Sequence, residues 1–156
     1  MQNLVNSWFS VVLAVVFASV AVWCFVPQEN DGAIIRYTKY ALGVNFAVSS
    51  YMLVGPPIVI ETDLSWMGMA GFSSGPFIVL DNSWDWPDYV LRHEYQHFCQ
   101  QAILTPLVSG VLSKVSLFIN LIIYRDWHEA YINTWHERDA REHEEDGFEF
   151  DYIGGK

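Results

Sequence analysis

His93-Glu94-Tyr95-Gln96-His97 sets two histidines four residues apart, with a glutamate directly after the first. On a helix, residues at i and i+4 share a face, so both imidazoles can turn their Nε2 atoms toward one zinc ion. Glu94 falls about 100° round the helix from His93. That is off the ligand face but within reach of a metal-bound water, where a general base must sit. The chain has five histidines, and a chance match to H-E-x-x-H in this length is on the order of one in two hundred. An isolated histidine pair more often belongs to the surface or to a satisfied core. Here the glutamate stands in register between the pair, on a helix expected for other reasons. The metal reading is favoured.

Two histidines leave a zinc site incomplete. The last charged segment offers Glu129, Glu137, Glu142, Glu144 and Glu145, most of which must be solvated. Glu137 is the first choice for a third ligand. Its helical stripe holds Ala130, Asn133, Thr134, Ala140 and Arg141, small or polar neighbours that let one helix lie against another. Glu129 is the second choice, because it shares a bulkier stripe with Arg125, Ile132 and His136. Asp139 is either a carboxylate that orients a ligand imidazole or a surface charge. Hydrolysis also needs a group for the oxyanion; Tyr131, His128, His136 and His143 are candidates that the sequence does not rank. Cys99 points off the metal face and reads as a small core residue. Trp84 and Trp86 line a cleft, dip into the bilayer or, on the blander account, pack.

Arg92-His-Glu-Tyr-Gln-His-Phe-Cys-Gln100 resembles the H-E-x-x-H-x-x-Q pattern of small zincin metallopeptidases, and Glu137-Arg-Asp-Ala140 resembles the E-x-x-A element of gluzincins. The likeness covers roughly residues 58–146. It implies an α+β fold with a short antiparallel sheet whose edge strand, Phe77–Asp81, leads into the active-site helix, followed by a later helix bearing the glutamate. It further implies zinc held by His93, His97 and Glu137, Glu94 as general base, and a peptide or protein substrate paired along that edge strand.

The elements that must position these residues are legible from texture. Ile58–Glu61, Ser65–Phe72 and Phe77–Asp81 are short, β-branched or aromatic runs punctuated by Pro56-Pro57, Gly71 and Ser73-Ser74-Gly75-Pro76, and read as strands. A helix is expected from about Pro87 to Gln101, with Val90, Leu91, Tyr95, Phe98 and Ala102 at helical spacing. A last helix is expected from about Asp126 to Asp146. Residues 27–45 read as a polar connection, within a linking segment 28–50. The body then occupies 51–147, with a flexible tail at 148–156.

Trp8–Val26 carries no charge, proline or glycine. Nineteen residues at 1.5 Å each cover about 28 Å, close to the bilayer core. No Lys or Arg precedes the run, which argues against a signal peptide and for an uncleaved single-pass anchor over residues 1–27. Arg36 and Lys39 after it give a slight vote for a cytoplasmic body. Val111–Tyr124 is a second apolar stretch, interrupted by Lys114. If Ile103–Tyr124 crossed the membrane once, His97 and Glu137 would be separated by the bilayer. The segment is therefore expected to return, bent at Pro106 and Gly110, as a buried helical pair or a membrane-dipping hairpin.

Composition narrows the function classes. Eight basic against eighteen acidic side chains leave no positive footprint for nucleic acid. Two cysteines are too few for a disulfide scaffold. A di-iron carboxylate bundle needs a second E-x-x-H element, which the chain lacks. The reading is thus a membrane-anchored zinc metallopeptidase, with a non-catalytic membrane or virion-associated protein that retains a structural zinc site as the alternative.

Overall fold

The computed structural model describes residues 8–26, 28, 31–83, 88–144 and 153–154. Helix α1 (Trp8–Phe25) buries Ser10, Ala14, Ala21 and Cys24, small residues at helical spacing. They let a second helix, α2 (Ala33–Met52), lie alongside. Ser50 Oγ donates to the Ala14 carbonyl at 2.8 Å, and Phe17 meets Phe46 edge-on at 5.3 Å. Gly43 faces the Cys24 Cβ and the Phe25 ring so closely that an added Cβ would lie 3.1 Å from each. Most of the segment expected as a polar connection is therefore helix. Its charge is absorbed locally: Lys39 pairs with Asp31 at 2.7 Å and lies 5.2 Å from the centre of the Trp23 ring.

Met52 and Leu53, at the end of α2, enter a core with Val59, Ile78, Leu80, Val90, Tyr95, Phe98 and Ala102. The strands of that core are β1 (Ile58–Thr62), β2 (Gly71–Ser74) and β3 (Phe77–Asp81). Two expectations need correction here. Ser65–Phe72 is not one strand, since Ser65–Met67 form a single 3-10 turn closed by Gly68 at φ 65°, and pairing starts only at Gly71. Nor is the sheet simply antiparallel with Phe77–Asp81 at its edge. The order is β2-β3-β1-β4, where β4 is Ile153–Gly154, so β3 lies inside. β3 pairs antiparallel with β2 and parallel with β1, and β1 pairs parallel with β4. The Phe-Ile-Val-Leu run of β3 explains its place, because a strand without polar alternation suits an interior position. The edge strand is β2. The pairing of Ile153–Gly154 also replaces part of the expected flexible tail.

Helix α3 (Asp88–Leu104) carries the H-E-x-x-H residues and buries Val90, Tyr95, Phe98, Cys99 and Ala102 against the sheet and α2. Trp84, Trp86 and the expected start at Pro87 lie outside the described residues. Thr105, at φ 66°, turns the chain, and its hydroxyl accepts from Val108 N to cap helix α4 (Pro106–Tyr124). α4 is one uninterrupted helix; Pro106 opens it, as proline suits a first turn, and Gly110 does not interrupt it. The expected return is made instead beyond Arg125, at φ 56°. From there α5 (Trp127–Ile132) and α6 (Trp135–Glu142) lead back along α4 to α3.

The expected last helix is thus two helices. Asn133 Nδ2 donates to the Glu129 carbonyl and Thr134 Oγ1 to the Tyr131 carbonyl, each at 2.8 Å. Such side chains compete with the helical ladder and favour a break. The architecture is α+β and mostly helical, around a small sheet.

Candidate metal centre

α6 packs on α3, and its Ala140 and its N-cap Thr134, too small to hold helices apart, are fully buried. This brings Glu137 to His93 and His97. The two Nε2 atoms lie 3.1 Å apart. Glu137 Oε2 is 3.3 Å from His93 Nε2, and its Oε1 is 3.4 Å from His97 Nε2. Tetrahedral ligands at about 2.05 Å from an ion stand about 3.3 Å apart. Glu137 meets each histidine through a different oxygen, and one ligand atom from each of the three residues lies within 4.8 Å of the others, close enough to converge on one ion. The three residues form a group able to hold a metal ion.

Hydrogen bonds on the far side of each ring determine what the near side can do. Gln100 Nε2 donates to Asp139 Oδ2 at 2.7 Å and to the His136 carbonyl at 3.1 Å, so its Oε1 is free to accept from His97 Nδ1–H at 3.0 Å. His93 Nδ1 faces Glu144 Oε1 at 2.8 Å, a carboxylate oxygen that accepts. With both Nδ1 atoms carrying the proton, the neutral rings turn Nε2 lone pairs toward each other and toward a carboxylate. That arrangement repels itself unless a cation, proton or metal, lies between.

The electrostatics agree. Burial lowers the His93 pKa, but hydrogen bonds to Glu137 and Glu144 outweigh it and the net shift is upward. Burial alone would raise Glu137; the His93 and His97 imidazoles and the Tyr131 hydroxyl instead hold it far below the usual carboxylate range. Tyr131 donates to Glu137 Oε1 at 2.5 Å.

A cleft of about 350 Å³ opens over these atoms. β2 forms one wall with Gly71, Phe72, Ser73 and Ser74, and α4 forms another with Pro106, Ser109, Gly110 and Ser113. Glu94 lies on its floor, 7 % exposed, and Oε2 has no hydrogen-bond partner among the described residues. Burial raises its pKa, against the pull of His97 and His93. Gly71 is a requirement of this packing: a Cβ there would lie 2.9 Å from the Val79 carbonyl and 3.4 Å from Glu94 Cγ.

Of the oxyanion candidates, Tyr131 and His136 line the cleft, while His128 and His143 do not. Burial lowers the His136 pKa to about 4, so its ring is neutral near pH 7. Glu129 is exposed and bonds Asn133, and Glu142 is exposed as well; neither joins the group. Glu145 lies outside the described residues. Asp139 touches no ligand imidazole and acts instead on Gln96 and Gln100, at 2.7 Å each. Cys99 is buried, and burial pushes its thiol up to about 12, as suits a core residue rather than a nucleophile.

Sequence reasoning missed the roles of Glu144 and Gln100. The glutamine was visible as the last residue of H-E-x-x-H-x-x-Q, three residues after His97 and on the same helical face, and that spacing was the available signal. Replacing Gln100 with leucine is expected to weaken metal binding about 10–100-fold, the usual cost of losing a group that orients a ligand imidazole. Glu144→Gln should cost less, because an amide oxygen still accepts from His93. Competition against a chromophoric chelator measures both.

No protein-family model matches this chain, and no curated protein or solved structure is similar to it at a significant level.

Proposed function

We propose that this chain is a zinc metallopeptidase of gluzincin type, anchored to a membrane by α1 and acting on peptide or protein substrates. The observation that carries the reading is the pair of Nε2 atoms at 3.1 Å, both Nδ1 atoms facing acceptors elsewhere, beside the buried Glu94 carboxylate, whose Oε2 has no hydrogen-bond partner among the described residues. Two imidazoles and one carboxylate suit zinc and leave a coordination position open, as catalytic sites do and closed structural sites do not. Bound there, zinc would supply a Lewis acid that polarises a carbonyl and acidifies water.

The chain's own residues do the rest. Glu94 takes the proton of the attacking water, whose oxygen bonds to the scissile carbonyl carbon, and passes it to the amine as the C–N bond breaks. A pKa raised by burial suits a carboxylate that must both accept and release a proton. Tyr131 and His136 line the cleft wall and are the candidate donors to the oxyanion, Tyr131 by turning its single O–H away from Glu137 Oε1. The substrate backbone pairs along β2, since β3 has both neighbours filled and β2 is the sheet edge that walls the cleft. The Ser73 carbonyl on that strand already accepts from Gln101 Nε2 at 3.1 Å.

The test is a broad peptide panel cut by the full chain in detergent or vesicles. Cleavage should stop on chelation and return with stoichiometric zinc. Zinc-loaded protein that leaves every peptide intact would overturn the catalytic reading and favour a structural zinc site.

A further inference from the structure

α4 is built with its polarity reversed relative to a helix of a water-soluble body. Its inward residues are Ser109, Ser113, Ser116 and Asn120: the first two line the cleft, Ser116 Oγ accepts from Trp135 N at 3.2 Å, and Asn120 Nδ2 donates to the Ala130 carbonyl at 3.1 Å. Its outward residues include Val111, Val115, Phe118, Ile119, Ile122 and Ile123, each at least 49 % exposed. At 100° per residue these six fall within an arc of about 140°. The arc contains no charge, and Lys114 stands at its border, where the stem can follow apolar surface while the ammonium reaches water.

In water an amphipathic helix buries the apolar side and exposes the polar one. The reverse arrangement, with small and polar residues inside and large aliphatic ones outside, is what hydrocarbon selects. α1 shows it too: Ser10, Ala14, Ala21 and Cys24 are inside, while Val11, Val12, Val15 and Trp23 are at least 44 % exposed. Both helices are long and apolar enough to cross a membrane. Hydrocarbon suits both faces alike, whereas a second copy of the chain would need a separate interface for each. Tyr124 and Trp127, 45 % and 64 % exposed, lie at the far end of α4 as aromatic residues do at a bilayer interface.

We infer that α4 lies in the bilayer surface with its apolar arc in hydrocarbon, so that the metal centre faces polypeptide segments held at the membrane. α4 does not cross, because α5 and α6, with their charges, return along its inner side. Its inner side is the cleft wall, and one helix diameter, roughly 10 Å, separates lipid from the metal ligands. A substrate threaded along β2 is therefore read close to the membrane. The inference rests on the membrane half of the reading above and is independent of its chemistry.

Nitroxide labels at Val115→Cys and Ile122→Cys, in the full chain reconstituted in phosphatidylcholine vesicles, test it. Val15→Cys on α1 and Glu61→Cys on exposed β1 are the references. Collisions with oxygen should exceed those with a water-soluble nickel chelate several-fold at 115 and 122, as at 15, and the order should invert at 61. Nickel-dominated labels at 115 and 122 beside an oxygen-dominated label at 15 would overturn the inference and leave the α1 anchor standing. Nickel dominance at all three would remove both. Low access to either agent, with spin–spin broadening, would mean a second copy covers α4 and would also overturn it. Zinc content of the same samples reports the chemical reading separately.

Discussion

Glu94→Gln is expected to keep its zinc and lose peptidase activity, with kcat falling by about 10²–10⁴, the usual worth of a positioned general base. The two effects separate because Glu94 is not among the grouped donor atoms, while its buried Oε2 has no hydrogen-bond partner to lose among the described residues. Glutamine fits the same space against Gly71 but cannot accept the proton. Metal-to-protein ratio and kcat on one cleaved peptide, measured side by side, check the prediction. A variant that cuts at the wild-type rate would remove Glu94 from the mechanism.

Glu137→Ala is expected to abolish stoichiometric zinc binding, with an affinity loss beyond the roughly 10–100-fold that follows removal of an orienting group. Without the carboxylate, two lone pairs still face each other at 3.1 Å, but the negative charge that favours a cation over a proton is gone. Tyr131 also loses its acceptor. Glu129→Gln is the matched control on the neighbouring exposed helix and should bind zinc normally. Dialysed protein analysed for metal distinguishes them. Equal losses in both variants would point to misfolding rather than ligation, and an unfolding curve taken on each separates those cases.

The local pattern carried much of this site. β3 spans the predicted Phe77–Asp81, and the apolar period of α3 placed Tyr95 and Phe98 in the core with the histidines opposite. Neighbour size favours Glu137 over Glu129 in the sequence, and Glu137 is the one that groups with the two histidines, although the helix carrying the stripe is broken at Asn133 and Thr134. Across the break Ala130, Thr134, Glu137 and Ala140 all stay buried, Ala130 beside Asn120 of α4 and the others where α6 meets α3. Strand partners were beyond reach. Pairing β1 with β3 in parallel is a long-range choice, and it is what makes β2 the open edge. α2 was hidden for another reason: Ile34, Ile35 and Tyr37 face outward, so its buried face of Gly43, Ser49 and Met52 shows little apolar period.

Glu137 reaches the histidines only after the chain has travelled out along α4 and back through α5. Coordination by His97 and Glu137 together would therefore tie off that whole excursion as a closed loop, much as a disulfide would, and remove the freedom the open loop has in the unfolded chain. α6 is eight residues long, too short to be stable as an isolated helix. Its docking and the ion's retention would thus be one cooperative event, and zinc supply would set how resistant this part of the chain is to heat and to proteases.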